Sequence, residues 1–154
     1  MRAVERLAPG QEGEKPIPGF AALSVIPNAA ASSLQGFLHA KVKAGSRVVS
    51  DGWKGYLGLG LHGFQHTTTP LQGDPEAAHR LFPWVHITLS NLKRFLLGTH
   101  HKVEPKHLKR YVAEFGYRLN RRSMETTLFD RLVRACLATE TIIYKELVAT
   151  PEQV

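Results

Sequence analysis

The sequence predicts one α/β domain in which strands and helices alternate through the first half and helices alone fill the second. Three observations lead there. The chain has 154 residues, 43% apolar and 21% charged, enough for one hydrophobic core and too apolar for a disordered chain. In the first half, short apolar runs are closed by Pro or Gly, as buried strands are. In the second half the apolar residues recur at three- and four-residue spacing, the period of one helix face.

Residues 1–19 are rich in Glu, Gly and Pro and show neither period. They are expected to form a loose leader, or a damaged strand and a loop, ahead of a domain over residues 20–150. Phe20–Ile26 (FAALSVI), closed by Pro27, fits a buried strand. Asn28 is placed to cap a helix with the stripe Leu34, Phe37, Leu38 and Val42, and Gly45 to end it. Ser46–Ser50 (SRVVS) is a second strand, followed at once by Asp51 and Gly52. Trp53–Leu61 reads as a short helix broken by glycines, Phe64–Thr69 as a third strand and Gly73–Pro75 as a loop. Leu89, Leu92 and Leu96 then predict a helix stopped by Gly98. Pro105 suits a first helical turn, and Leu108, Tyr111, Val112, Phe115 and Leu119 form the stripe of the clearest helix. Thr126–Leu137 is a further amphipathic helix and Ile142–Leu147 a shorter one. Cys136, on the side of Leu132, is expected in the core.

Twenty Lys and Arg oppose 13 Asp and Glu, a net charge of +7 with a pI near 9.8. The excess is confined to one segment. Between Arg80 and Arg122, ten basic residues face only Glu104 and Glu114, and the remainder of the chain is nearly neutral. Lys106, Lys109, Arg110, Arg118, Arg121 and Arg122 lie off the apolar stripe, so burying the stripe turns cations outward. That favours nucleic-acid phosphate as a partner. A solvated helix face is the plainer alternative, and a small RNA-binding protein a third. One cysteine excludes an internal disulfide and a cysteine zinc ribbon, and no window reaches the roughly 20 apolar residues of a membrane span. A cytoplasmic, unprocessed chain is expected.

Asp51 places a carboxylate at the carboxyl end of a strand, where α/β sheets build sites. Asp-Gly after a strand is commonly only a turn. Hard oxygen ligands at strand ends are also what magnesium-dependent phosphodiester cleavage requires. His100, His101 and His107 lack the Cys or paired acid that would complete a zinc set, so loop or phosphate contacts are expected of them. Trp53, Tyr56, Trp84 and Tyr111 are expected to pack before they stack on bases. Thr67, Thr68 and Thr69 beside His66 read as an exposed strand.

Several longer patterns occur in order: Ile26-Pro27-Asn28-Ala29 followed by Leu34 and Phe37; Ser50-Asp51-Gly52-Trp53 with Tyr56; His86; Leu96-Leu97-Gly98-Thr99-His100; and His107 to Arg122, HLKRYVAEFGYRLNRR. Together they resemble the catalytic domain of ISXO-like DDE-type insertion-sequence transposases, over about Phe20 to Leu147. The resemblance implies a ribonuclease H-like mixed sheet with packed helices. It also implies Mg2+- or Mn2+-dependent strand cleavage and joining at insertion-sequence ends, with DNA as partner, self-assembly on the DNA and a nucleoid location. By the same resemblance Asp51 matches the second catalytic aspartate, a metal ligand, and Asn91 falls where members carry Glu or Asn. Lys93 and Arg94 would lie beside the cleaved DNA. His86, Arg118, Asn120, Arg121 and Arg122 match motif positions to which no detailed role is attached; Lys106, Lys109, Arg110, Arg118, Arg121 and Arg122 are expected to contact the DNA backbone on the charge pattern.

The chain departs from the family at one carboxylate. The family's first catalytic aspartate lies on a strand upstream of a segment like Arg2-Ala3-Val4-Glu5, and here no aspartate precedes Asp51; Glu5, Glu12 and Glu14 are the only earlier acids. With Asn91 neutral, one of three carboxylates is present. The expectation is an N-terminally truncated or decayed transposase that binds metal weakly and cleaves little. The alternative is a non-catalytic DNA-binding relic.

Overall fold

The computed structural model describes residues 2–6, 18–71, 74–100 and 102–148. In order these form β1 (Arg2–Arg6), β2 (Pro18–Leu23), α1 (Ala31–Lys41), β3 (Arg47–Ser50), β4 (Gln65–Thr68), α2 (Pro75–Leu81), α3 (Pro83–His100), α4 (Leu108–Asn120), α5 (Glu125–Ala138) and α6 (Tyr144–Val148). The mixed α/β class with a helical second half is therefore present. Glu12, Glu14, Gly73 and His101 lie outside the described residues.

The strands form two small sheets. β1 and β2 pair antiparallel with Val4 opposite Ala21, so the segment before Phe20 contains a strand. β3 and β4 pair parallel, Val48 opposite His66 and Ser50 opposite Thr68. Both sheets cover one core. Phe37 and Leu38 of α1 pack with Leu59 and Phe64, and Ala3 and Ala22 from one sheet and Val48 from the other close over them. Among the described residues the two sheets share this core without pairing with each other.

Several boundaries differ from the sequence expectation for identifiable reasons. Asn28 is not the N-cap of α1, which is Ala30. Its Oδ1 accepts from Ala30 N at 3.0 Å and from Ser33 Oγ at 2.8 Å, so it braces the first turn from outside. The helix ends at Lys41, ahead of Gly45, because Val42 is already extended. Trp53–Leu61 forms two 3-10 turns, Lys54–Tyr56 and Leu59–His62, rather than one α-helix. Gly55 lets this segment approach α1: a Cβ there would lie 2.6 Å from Leu34 Cδ1. Helix α2 replaces part of the expected loop. Its cap was present in the sequence, since Asp74 accepts from Glu76 N at 2.9 Å and Pro75 takes the first helical position. Gly98 does not stop α3. The helix continues to His100, whose ring packs 5.1 Å from Phe95 and 4.3 Å from Tyr111, contacts that offset the roughly 1 kcal/mol a mid-helix glycine costs.

Helix α4 buries Val112 and Phe115 of its stripe, with Phe115 5.7 Å from Phe95 of α3. Helix α5 behaves differently. Every residue from Thr126 to Ala138 is exposed, so Cys136 is a surface thiol and not a core residue.

Candidate functional site

Asp51 follows the last residue of β3. Ser50, buried, is hydrogen-bonded through Oγ to His66 Nε2 at 2.8 Å, which ties the end of β3 to β4 at the side-chain level. The chain then turns outward. Asp51 is exposed and its Oδ1 accepts from Trp53 N at 3.2 Å. Trp53 Nε1 in turn donates to Ala29 O at 3.2 Å, anchoring the turn to the segment before α1. Gly52 is required here: its φ is +83°, and a Cβ would stand 3.2 Å from Thr68 Cγ2. The sequence Asp-Gly-Trp thus works as a unit, presenting one carboxylate to solvent at the carboxyl end of a parallel strand pair.

One carboxylate does not make a magnesium site. Among the described residues no group of three His, Cys, Asp or Glu side chains could hold a metal ion. Magnesium prefers near-octahedral oxygen coordination and two-metal cleavage shares carboxylates between ions, so these residues fit the metal pair poorly.

Asn91 sits half-buried on α3, and Arg94 Nη2 donates to its Oδ1 at 3.0 Å. It lines a cavity of about 160 Å3 with Ala21, Trp84, Thr88, Leu119 and Arg122. Asp51 does not border that cavity, and among the described residues no hydrogen bond or ion pair joins Asp51 to Asn91 or to α4.

Several cations of the basic segment are engaged within the chain while staying at its surface. Lys106 lies 3.0 Å from Glu104 and holds that carboxyl below its usual range, first through a hydrogen bond and then through its charge. Arg118 pairs with Glu114 at 2.8 Å, the Arg121 guanidinium lies 3.7 Å over the Tyr117 ring, and Arg122 donates to Leu119 O at 2.8 Å and Pro18 O at 2.7 Å. Lys93, Arg94, Lys109 and Arg110 are exposed, Arg110 reaching Glu146 O at 3.5 Å.

The structure also assigns the Asn120 position of the terminal motif. Its Nδ2 donates to Ala21 O at 2.9 Å and its Oδ1 accepts from Ala21 N at 2.7 Å. The amide thus completes both backbone groups of a strand residue, as a neighbouring strand would, and locks the end of α4 against β2. Sequence reasoning missed this because the two residues are 99 positions apart. His86 stacks on His79 of α2, ring centroids 4.5 Å apart, and so helps hold α2 to α3.

The Asp-Gly-Trp turn at a strand end is followed along the chain by α3, which carries Asn91 and has no acid, and by α4, which ends at Asn120 ahead of Arg121 and Arg122. Residues 2–120 match the family model of the ISXO2-like transposase domain, and the chain belongs to that family. Comparison with curated proteins and with solved structures gives no match. Among the described residues no helix is long and apolar enough to cross a membrane.

Proposed function

We propose that the chain carries the DNA-holding part of a ribonuclease H-like transposase catalytic domain and cleaves DNA little by itself. The exposed Asp51 carboxylate at the carboxyl end of β3 is the observation that supports the family's chemistry. The poor metal fit around it favours the non-catalytic side of that reading. Lys93, Arg94, Lys109 and Arg110 supply exposed positive charge for insertion-sequence DNA, in a protein of the cytoplasm and nucleoid that assembles on its DNA.

The test combines duplex binding with nicking of supercoiled plasmid in Mg2+ or Mn2+, comparing the chain with Asp51→Ala. Expected are salt-sensitive binding by both proteins, preference for duplex DNA over RNA in competition, little nicking by the chain and none by the variant. Efficient nicking by the chain would contradict the incomplete site. Equal nicking by Asp51→Ala would discard Asp51 as the catalyst, and absence of duplex binding would overturn the proposal.

A further inference from the structure

Asn91 offers a primary amide, which has an accepting end and a donating end. A guanidinium has donors only, so the 3.0 Å contact with Arg94 Nη2 fixes which end faces it: Oδ1 points to Arg94. The Nδ2 hydrogens are left over, and among the described residues nothing accepts them. The amide borders the cavity between α3, β2 and the end of α4. Of the polar residues around that cavity, Arg122 already donates to the carbonyls of Leu119 and Pro18, and Thr88 is buried. Helix α3 contains no Asp or Glu, and Lys93 and Arg94 follow Asn91 within one turn. A group arriving here meets the Asn91 N–H donors and the Arg122 guanidinium, with Arg94 behind Asn91 and the Glu5 carboxylate, held by Phe20 N, beside Gly19 on the strand side.

We infer that Asn91 donates its amide N–H to a phosphate oxygen of bound DNA and is not a metal ligand, with Arg94 holding the amide in that orientation. A metal ion would need Oδ1, because the Nδ2 lone pair is delocalised into the carbonyl. One lone pair of Oδ1 already accepts from the Arg94 guanidinium, and that positive charge beside the oxygen disfavours a cation on the other. An anionic oxygen meets the opposite situation: a fixed donor with a positive group alongside. This inference rests on the DNA-binding reading above and assigns a contact within it.

Asn91→Asp separates the two roles because it helps one and harms the other. It supplies a carboxylate to a metal ion, but removes the donor and sets a negative charge against phosphate. The full chain and the variant are compared by fluorescence anisotropy on duplex DNA and by electron paramagnetic resonance titration with Mn2+. Duplex affinity should fall roughly tenfold to a hundredfold, as for loss of a hydrogen bond to a charged group, with Mn2+ binding unchanged. Duplex affinity equal to that of the unmodified chain, or a gain in Mn2+ affinity or nicking, would overturn the inference. Should the variant fail to fold, the side-chain amide resonances of Asn91 in the unmodified chain decide it. They should shift on adding duplex DNA and not on adding Mg2+, and the reverse pattern would sink the assignment. If the unmodified chain binds no DNA, the proposed function fails with it; if it binds and Asn91→Asp binds equally, only the Asn91 assignment fails.

Discussion

Helices α4 and α5 are 13 and 14 residues long, and each has an apolar stripe at helical spacing, yet one is docked and the other is exposed throughout its described residues. Phe115 of α4 is 7% exposed, whereas Phe129 of α5 is 75% exposed. The difference lies in what surrounds the stripe. At the end of α4, the Asn120 amide grips both backbone groups of Ala21 and Arg122 reaches Pro18 O, so polar contacts fix the helix where its apolar face meets β2. In α5 the side-chain hydrogen bonds are local, as when Thr127 and Thr139 donate to carbonyls of the same segment. Amphipathic spacing specifies a helix and its apolar side; it does not specify docking.

The comparison breaks most visibly at its two phenylalanines. Phe115→Ala should cost about 3–5 kcal/mol in chemical denaturation, the usual range for a buried aromatic truncated to Ala. Phe129→Ala, the same chemical change, should stay within about 0.5 kcal/mol. Similar losses at the two sites would mean that α5 is docked in solution. The clamp comes next. Asn120→Ala should cost about 1–3 kcal/mol, because it leaves the Ala21 N–H and C=O without partners, and hydrogen exchange at Ala21 should accelerate. Unchanged exchange would show that the amide does not hold β2.

The smallest effect concerns pH. Lys106 depresses the Glu104 pKa, so the ion pair contributes stability above the ordinary carboxylate range and loses it as pH falls through the lowered value. Glu104→Gln should therefore slightly flatten the acid limb of a plot of melting temperature against pH. Because the pair is exposed, a large flattening would point to another acid.

Much of this architecture was legible in local sequence. The stripe of α1, the strand before Asp51 and the stripe of α4 follow from period, and period is a short-range property. Asp74 followed by Pro75 is also a local helix-start signal, although the Gly73–Pro75 stretch reads as a loop by composition. Contacts between distant segments were not legible. Neither the Asn120 clamp on Ala21 nor the Trp53 bond to Ala29 has a local signature. Cys136 lies on an apolar helix face, which predicts burial, but that face is exposed because nothing among the described residues covers it. For the site, the Asp51 turn could be read from residue order alone. The Asn91 to Arg94 pairing is i to i+3 on one helix and was open to a helical projection, but the cavity beside it depends on β2 and on the end of α4.

The central claim is that the cationic surface of the α3 to α4 segment holds DNA by its phosphates. The most direct measurement is duplex affinity from low to moderate salt for the chain and for the Lys109→Ala and Arg110→Ala double variant. Logarithmic affinity should fall linearly with logarithmic salt, and the double variant should bind more weakly on every sequence with a slope reduced by roughly two phosphate contacts. A slope and affinity identical to those of the unmodified chain would contradict the account.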